Sequence, residues 1–160
     1  DLIMGFRLDE KDGGKPTYEY LAIDATVTRD PEGLEKKELG IQKDLQNGKL
    51  AVAEYFINDD NPDIKGKIEM PQVIYALLPM EAIEFRTLLG KGKKLSFDDQ
   101  KKLHGYKADI FNRIIQQLQK WIEFIDKSLE SSTPDLIEPK QRLARKYRMI
   151  LGLIMEKKKG

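Results

Sequence analysis

No cysteine occurs in these 160 residues, which removes disulfides, thiolate metal sites and cysteine nucleophiles together. Histidine is nearly absent as well: His104 stands alone, with no serine or acid placed to complete a triad. Long apolar runs are missing. The longest, MILGLIM from Met149 to Met155, has seven residues, whereas a helix needs about 20 to cross a hydrocarbon layer. Net charge is missing too, since 28 Lys and Arg against 27 Asp and Glu leave +1 and no global field toward nucleic acid or anionic lipid. Neither a repeat nor a low-complexity segment is evident. The absence of thiols, with an opening DLIMGFRLDEK that lacks the pattern of a secretory leader, predicts a cytoplasmic protein.

What is present is a chain 40% hydrophobic and 34% charged, too apolar for wholesale disorder. At 18.5 kDa it fits one domain over 1–160 able to bury its own core.

Organisation changes near the middle. Leu2, Met4, Phe6 and Leu8 alternate with other residues, as do Leu21, Ile23, Ala25 and Val27, and KDGGKP lies between. This predicts a β-hairpin turning at Gly13-Gly14, with the return strand pairing from about Thr17, after Pro16. Residues 31–48 fit two structures. Asp30 as N-cap, Pro31 at the first helical position, an apolar face of Leu34, Ile41 and Leu45, and Asn47-Gly48 at the end describe a helix. Asn-Gly is also a hairpin signal, but Glu, Lys and Gln at the exposed positions favour the helix. Ala51–Ile57 and Lys67–Leu78 read as strands around a polar loop, with Pro71 marking a bulge or an edge position in the second.

From Pro79 onward the period is helical. MEAIEFRTLL makes a short helix and GKGKKL a loop. SFDD then opens a long helix capped by Ser96, with Asp98 and Asp99 at the positive end of its dipole. Leu103, Tyr106, Ile110, Ile114, Leu118, Trp121, Ile125 and Leu129 form one stripe, widened by Phe111, Ile115, Ile122 and Phe124. SSTP breaks this helix, and Pro139 predicts that the last one starts near Glu138. The expected fold is α+β: a small, mainly antiparallel sheet in 1–78 packed against a C-terminal helical hairpin in 79–160.

The final helix poses the functional question. Leu143, Tyr147, Ile150 and Ile154 supply a seam that matches the stripe on the preceding helix. Met149, Leu151, Leu153 and Met155 lie outside it and encircle Gly152, so they predict an interaction surface for a protein partner or a second copy. Between 138 and 160 eight Lys and Arg face two Glu. Arg142, Arg145, Lys146 and Arg148, with Lys91, Lys93 and Lys94 in the earlier loop, are therefore candidate phosphate contacts for nucleic acid. No RNA-binding motif accompanies them, and a solvated face is the simpler reading. A membrane-surface role is disfavoured because the apolar seam has a partner within the chain.

The remaining patterns carry less. Gly90-Lys91-Gly92-Lys93-Lys94 precedes a helix N-terminus but lacks Walker spacing, and Asp98 and Asp99 would repel an anion there. Asp59, Asn61 and Asp63 resemble the first half of a calcium loop, yet Ile64 stands where glycine is needed. Asp63, Asp99 and Lys101 follow the acid, acid-x-lysine order of metal-dependent nucleases, but Asp99 falls in a helix's first turn. No metal or cofactor is expected. A non-enzymatic interaction or assembly module working through the C-terminal helices is the first reading, and phosphate-backbone binding by the basic helix the alternative.

Overall fold

The computed structural model describes residues 2–8, 16–27, 30–58 and 61–159, except the side chains of Lys93 and Lys159. Gly13, Gly14 and Asp59 lie outside these residues. Strands β1 (Leu2–Leu8) and β2 (Thr17–Val27) pair antiparallel, from Leu2 opposite Ile23 to Leu8 opposite Thr17. The return strand thus begins where Pro16 allows it.

Residues Pro31–Gln46 form helix α1 rather than the arm of a hairpin. A carboxylate oxygen of Asp30 accepts from the Glu32 amide at 3.0 Å, and Gly48 turns the chain out of the helix at φ +67°. Ile41 and Leu45 are buried on its inner face.

The strand expected over Lys67–Leu78 is two strands, β4 (Lys65–Met70) and β5 (Gln72–Leu77), divided at Pro71. Proline has no N–H for a ladder, but its carbonyl accepts from the Ala22 amide at 2.9 Å. The chain therefore leaves one sheet at Pro71 and enters the other. β4 pairs antiparallel with β3 (Ala51–Ile57) as a two-stranded ribbon, whereas β5 joins β2 in parallel, giving the order β1-β2-β5. Two of the three pairings are antiparallel.

The helical half follows. Helix α2 (Pro79–Lys91) ends in a 3-10 turn, Gly92–Lys94. Helix α3 (Phe97–Glu130) has 34 residues, about 51 Å at the α-helical rise. The Ser96 hydroxyl accepts from the Asp99 amide and the Asp99 carboxylate from the Ser96 amide, each at 3.1 Å.

The last helix, α4 (Pro134–Lys159), starts a turn earlier than Pro139 suggested. Pro134 suits a first helical position, and the amide missing from Pro139 deprives only the carbonyl of Asp135, an exposed residue in the first turn. The Pro139 ring lies over Gly48, where an added Cβ would meet Pro139 Cβ at 2.6 Å.

One hydrophobic core joins the layers. Leu21, Ile23 and Val73 from the sheet and Leu45 from α1 meet Ile114, Leu118, Trp121 and Ile125 of α3 and Leu143, Tyr147, Ile150 and Ile154 of α4. Each such side chain contributes roughly 1.5–3 kcal/mol when fully buried. The paired seams of α3 and α4 thus supply half of the buried residues of this interior. Among the described residues, no helix is long and apolar enough to cross a membrane.

Candidate protein interface

On α4 the expected apolar collar divides by side. Leu151 and Leu153 are half-buried against the core, while Met149 and Met155 remain 45% and 44% exposed and Gly152 lies between them. A Cβ built at Gly152 would touch nothing within 4 Å. Met149, Gly152 and Met155 advance by three, which sets them along one outer stripe. Arg145 and Arg148 precede this stripe and Glu156 closes it, all exposed.

The cationic residues have varied surroundings. Arg142, Arg145 and Arg148 are exposed on α4, away from buried Leu143, Tyr147 and Ile150. Arg142 pairs with Glu69 at 3.2 Å, Lys146 with Glu19 at 3.3 Å and Arg148 with Asp126 at 2.7 Å. For Arg145 and Lys94 no ion pair occurs among the described residues. Lys140, which belongs to the same cationic run in sequence, is only 5% exposed. Its ammonium donates to the Ser128 carbonyl at 3.2 Å and to Ser132 Oγ at 2.6 Å, where the last turn of α3 lacks intrahelical donors.

Lys91 lies elsewhere, paired with Asp99 at 2.8 Å. That hydrogen bond, with those from Ser96, holds the Asp99 carboxyl down at about 2. Asp99 and Asp126 are 27 residues apart on one helix, about 40 Å at the helical rise, so the two lysine- and arginine-rich segments attach to distant points of α3. The side chain of Lys93 lies outside the description. His104 is exposed on α3, and Asn61 Oδ1 accepts from the Asp63 amide at 3.3 Å in a local turn.

Two features were not foreseen from the sequence. The first is how β5 is finished. Tyr147 Oη accepts from the Gln72 amide at 3.1 Å and donates to its carbonyl at 3.3 Å. Gln117 Oε1 accepts from the Ile74 amide at 2.8 Å while Gln117 Nε2 donates to the Ile74 carbonyl, and Arg113 donates to the Ala76 carbonyl at 3.0 Å. Alternate residues of the outer edge of β5 are thus satisfied by side chains from α3 and α4. Burial pushes the Tyr147 phenol up to about 12, against the lowering effect of its bond to Gln72. Arg113 and Gln117 are four apart beside the apolar stripe, a weak sequence signal because their partners lie about 40 residues away.

The second is the clamp between α2 and α3. Tyr106 Oη donates to Glu84 at 2.6 Å and Lys102 pairs with Glu84 at 2.9 Å. These bonds, Tyr106 first, lower the Glu84 carboxyl below its ordinary range, and the same bond raises Tyr106 to about 12. Compared with known protein families, curated proteins and solved structures, the chain matches none of them.

Proposed function

We propose that this chain is a non-enzymatic assembly module in which two copies associate through the outer stripe of α4. The observation that carries the proposal is the order of residues around Gly152. An antiparallel crossing centred there sets Met149 against Met155 of the second copy, and Arg148 against Glu156 of the second copy. The stripe is complementary to itself in shape and in charge, as a two-fold interface requires. Glycine at the crossing lets the helices approach closely, and methionine adapts to fill the flanks. Leu151 and Leu153 support α4 from within rather than facing a partner.

Light scattering across a concentration series tests the proposal. The wild-type chain should rise toward twice its monomer mass, and Met155→Glu should hold it at the monomer. Glu156→Arg should weaken association, while adding Arg148→Glu should restore it. A wild-type chain that stays monomeric at high concentration removes the reading.

A further inference from the structure

The two edges of the three-stranded sheet are unlike. Ala22 donates to Pro71, so the even-numbered residues of β2 face β5 and the odd-numbered ones face β1. In the register of β1 with β2, this assigns Leu2, Met4, Phe6 and Leu8 to the ladder and turns the backbone groups of Ile3, Gly5 and Arg7 away from the sheet. The same alternation turns Gln72, Ile74 and Ala76 outward on β5, where Tyr147, Gln117 and Arg113 meet them. Among the described residues, nothing comparable bonds the outward N–H and C=O groups of Ile3 and Gly5. One edge is sealed and the other, among the described residues, is open.

The open edge adjoins a cleft. Its volume is about 440 Å³, and the side chains of Arg7, Tyr18, Tyr20, Phe56 and Lys157 contribute to its lining beside Ile3 and Gly5. Tyr20 is held edge-on to Phe56, ring centroids 4.7 Å apart, and its hydroxyl accepts from Asn58 Nδ2 at 2.6 Å. Gly5 itself is exposed and lies over the buried Tyr20 ring, and a Cβ there would sit in ordinary contact, 3.5 Å from Tyr20 Cε1. Among the described residues, Lys157 brings an exposed cation to the lining of the cleft. A strand added to β1 would pair with Ile3 and Gly5, and its side chains opposite them would turn into this cleft.

We infer that the β1 edge takes an extended acidic peptide as a fourth strand, with an apolar side chain beside Gly5 and a carboxylate against Lys157. The backbone of Ile3 and Gly5 supplies donors and acceptors that any peptide can use, and the cleft selects the sequence. A second copy of β1 fits less well, because Leu2–Leu8 carries no carboxylate to meet Lys157. This surface is separate from the α4 stripe: Lys157 is five residues beyond Gly152, on the opposite side of the helix.

The test pans a random linear heptapeptide library displayed on phage against the full chain, then titrates the enriched peptides while following amide exchange by NMR. Enriched sequences should carry an acid two residues from an apolar side chain, and binding should slow exchange at Ile3 and Gly5. Lys157→Glu should weaken binding by about tenfold or more. Gly5→Pro, which removes an outward N–H, should abolish it, while Gly5→Ala should retain it. If Gly5→Pro does not fold, Lys157→Glu decides. Absence of enrichment, peptides that bind Lys157→Glu as tightly as wild type, or exchange protection by oligothymidine in place of peptide would each overturn the inference.

Discussion

The carboxamide of Gln117 meets both backbone groups of Ile74, accepting from the amide at 2.8 Å and donating to the carbonyl. One side chain from α3 thereby stands in for a neighbouring strand at the centre of the β5 edge, with the Tyr147 hydroxyl on one side of it and the Arg113 guanidinium on the other. Replacing it by a residue of similar size without polar atoms leaves two edge groups without their partner. Gln117→Leu should therefore cost about 1–3 kcal/mol. Urea unfolding checks this, read as a lower midpoint with an unchanged slope. Stability equal to wild type would mean that the edge does not depend on Gln117.

Much of the architecture was legible because its signals are local. Asp30, Pro31 and Asn47-Gly48 punctuate α1, Ser96 and Asp99 cap α3, and apolar periodicity marks the α3–α4 seams. What was not legible depends on distant partners. Pro71 announces a break, but only the Ala22–Pro71 hydrogen bond says that the chain changes sheets there. Pro139 marks a helix start in the sequence alone, which does not reveal the exposed first turn or Gly48 beneath the ring. Lys140 looked like part of a cationic face, although its ammonium belongs to the end of α3. The apolar collar around Gly152 was visible, but its division into core-facing Leu151 and Leu153 and outward Met149 and Met155 needed the position of α3.

A second prediction concerns Gly48. Its φ of +67° disfavours any residue with a Cβ, and that atom would meet Pro139 Cβ at 2.6 Å. Gly48→Ala should destabilise the chain by about 2 kcal/mol or more, combining left-handed strain with displacement of α4. Thermal unfolding checks it. By contrast, Gly40→Ala, where nothing lies within 4 Å of an added Cβ, should be neutral or stabilising.

Alkaline titration reports the buried and clamped tyrosines. Tyr147, raised by burial, and Tyr106, raised first by its bond to Glu84, both stand at about 12 rather than the ordinary 10.0. Between these values the unfolded chain gives up phenolic protons that the folded chain keeps, so stability is lost as pH rises from about 10 to 12. Phenolate absorbance should show these two of the six tyrosines lagging, together with Tyr75, which burial also raises. Tyr106→Phe should remove one lagging phenol. All six titrating together near 10 in the folded chain would contradict both environments.

At low pH the corresponding group is Asp99, lowered from 3.8 to about 2, first by Lys91 and then by Ser96. The folded state binds this proton later than the unfolded one. Its stabilising effect is therefore complete above about 4 and disappears as pH falls through about 2. Asp99→Asn should flatten the acid limb of the stability profile over that interval, measured by urea unfolding at successive pH values. An unchanged limb would show that the Lys91–Asp99 pair does not persist in solution.

Absence of cysteine makes the central claim directly measurable, because any thiol introduced is the only one in the chain. If two copies cross at Gly152, their α-carbons there come within the roughly 4.4–6.8 Å that a disulfide spans. Gly152→Cys should then form a covalent dimer rapidly under mild oxidation, while Gly90→Cys, an exposed helical position on α2, should not. Equal, slow cross-linking at both positions would contradict association through α4.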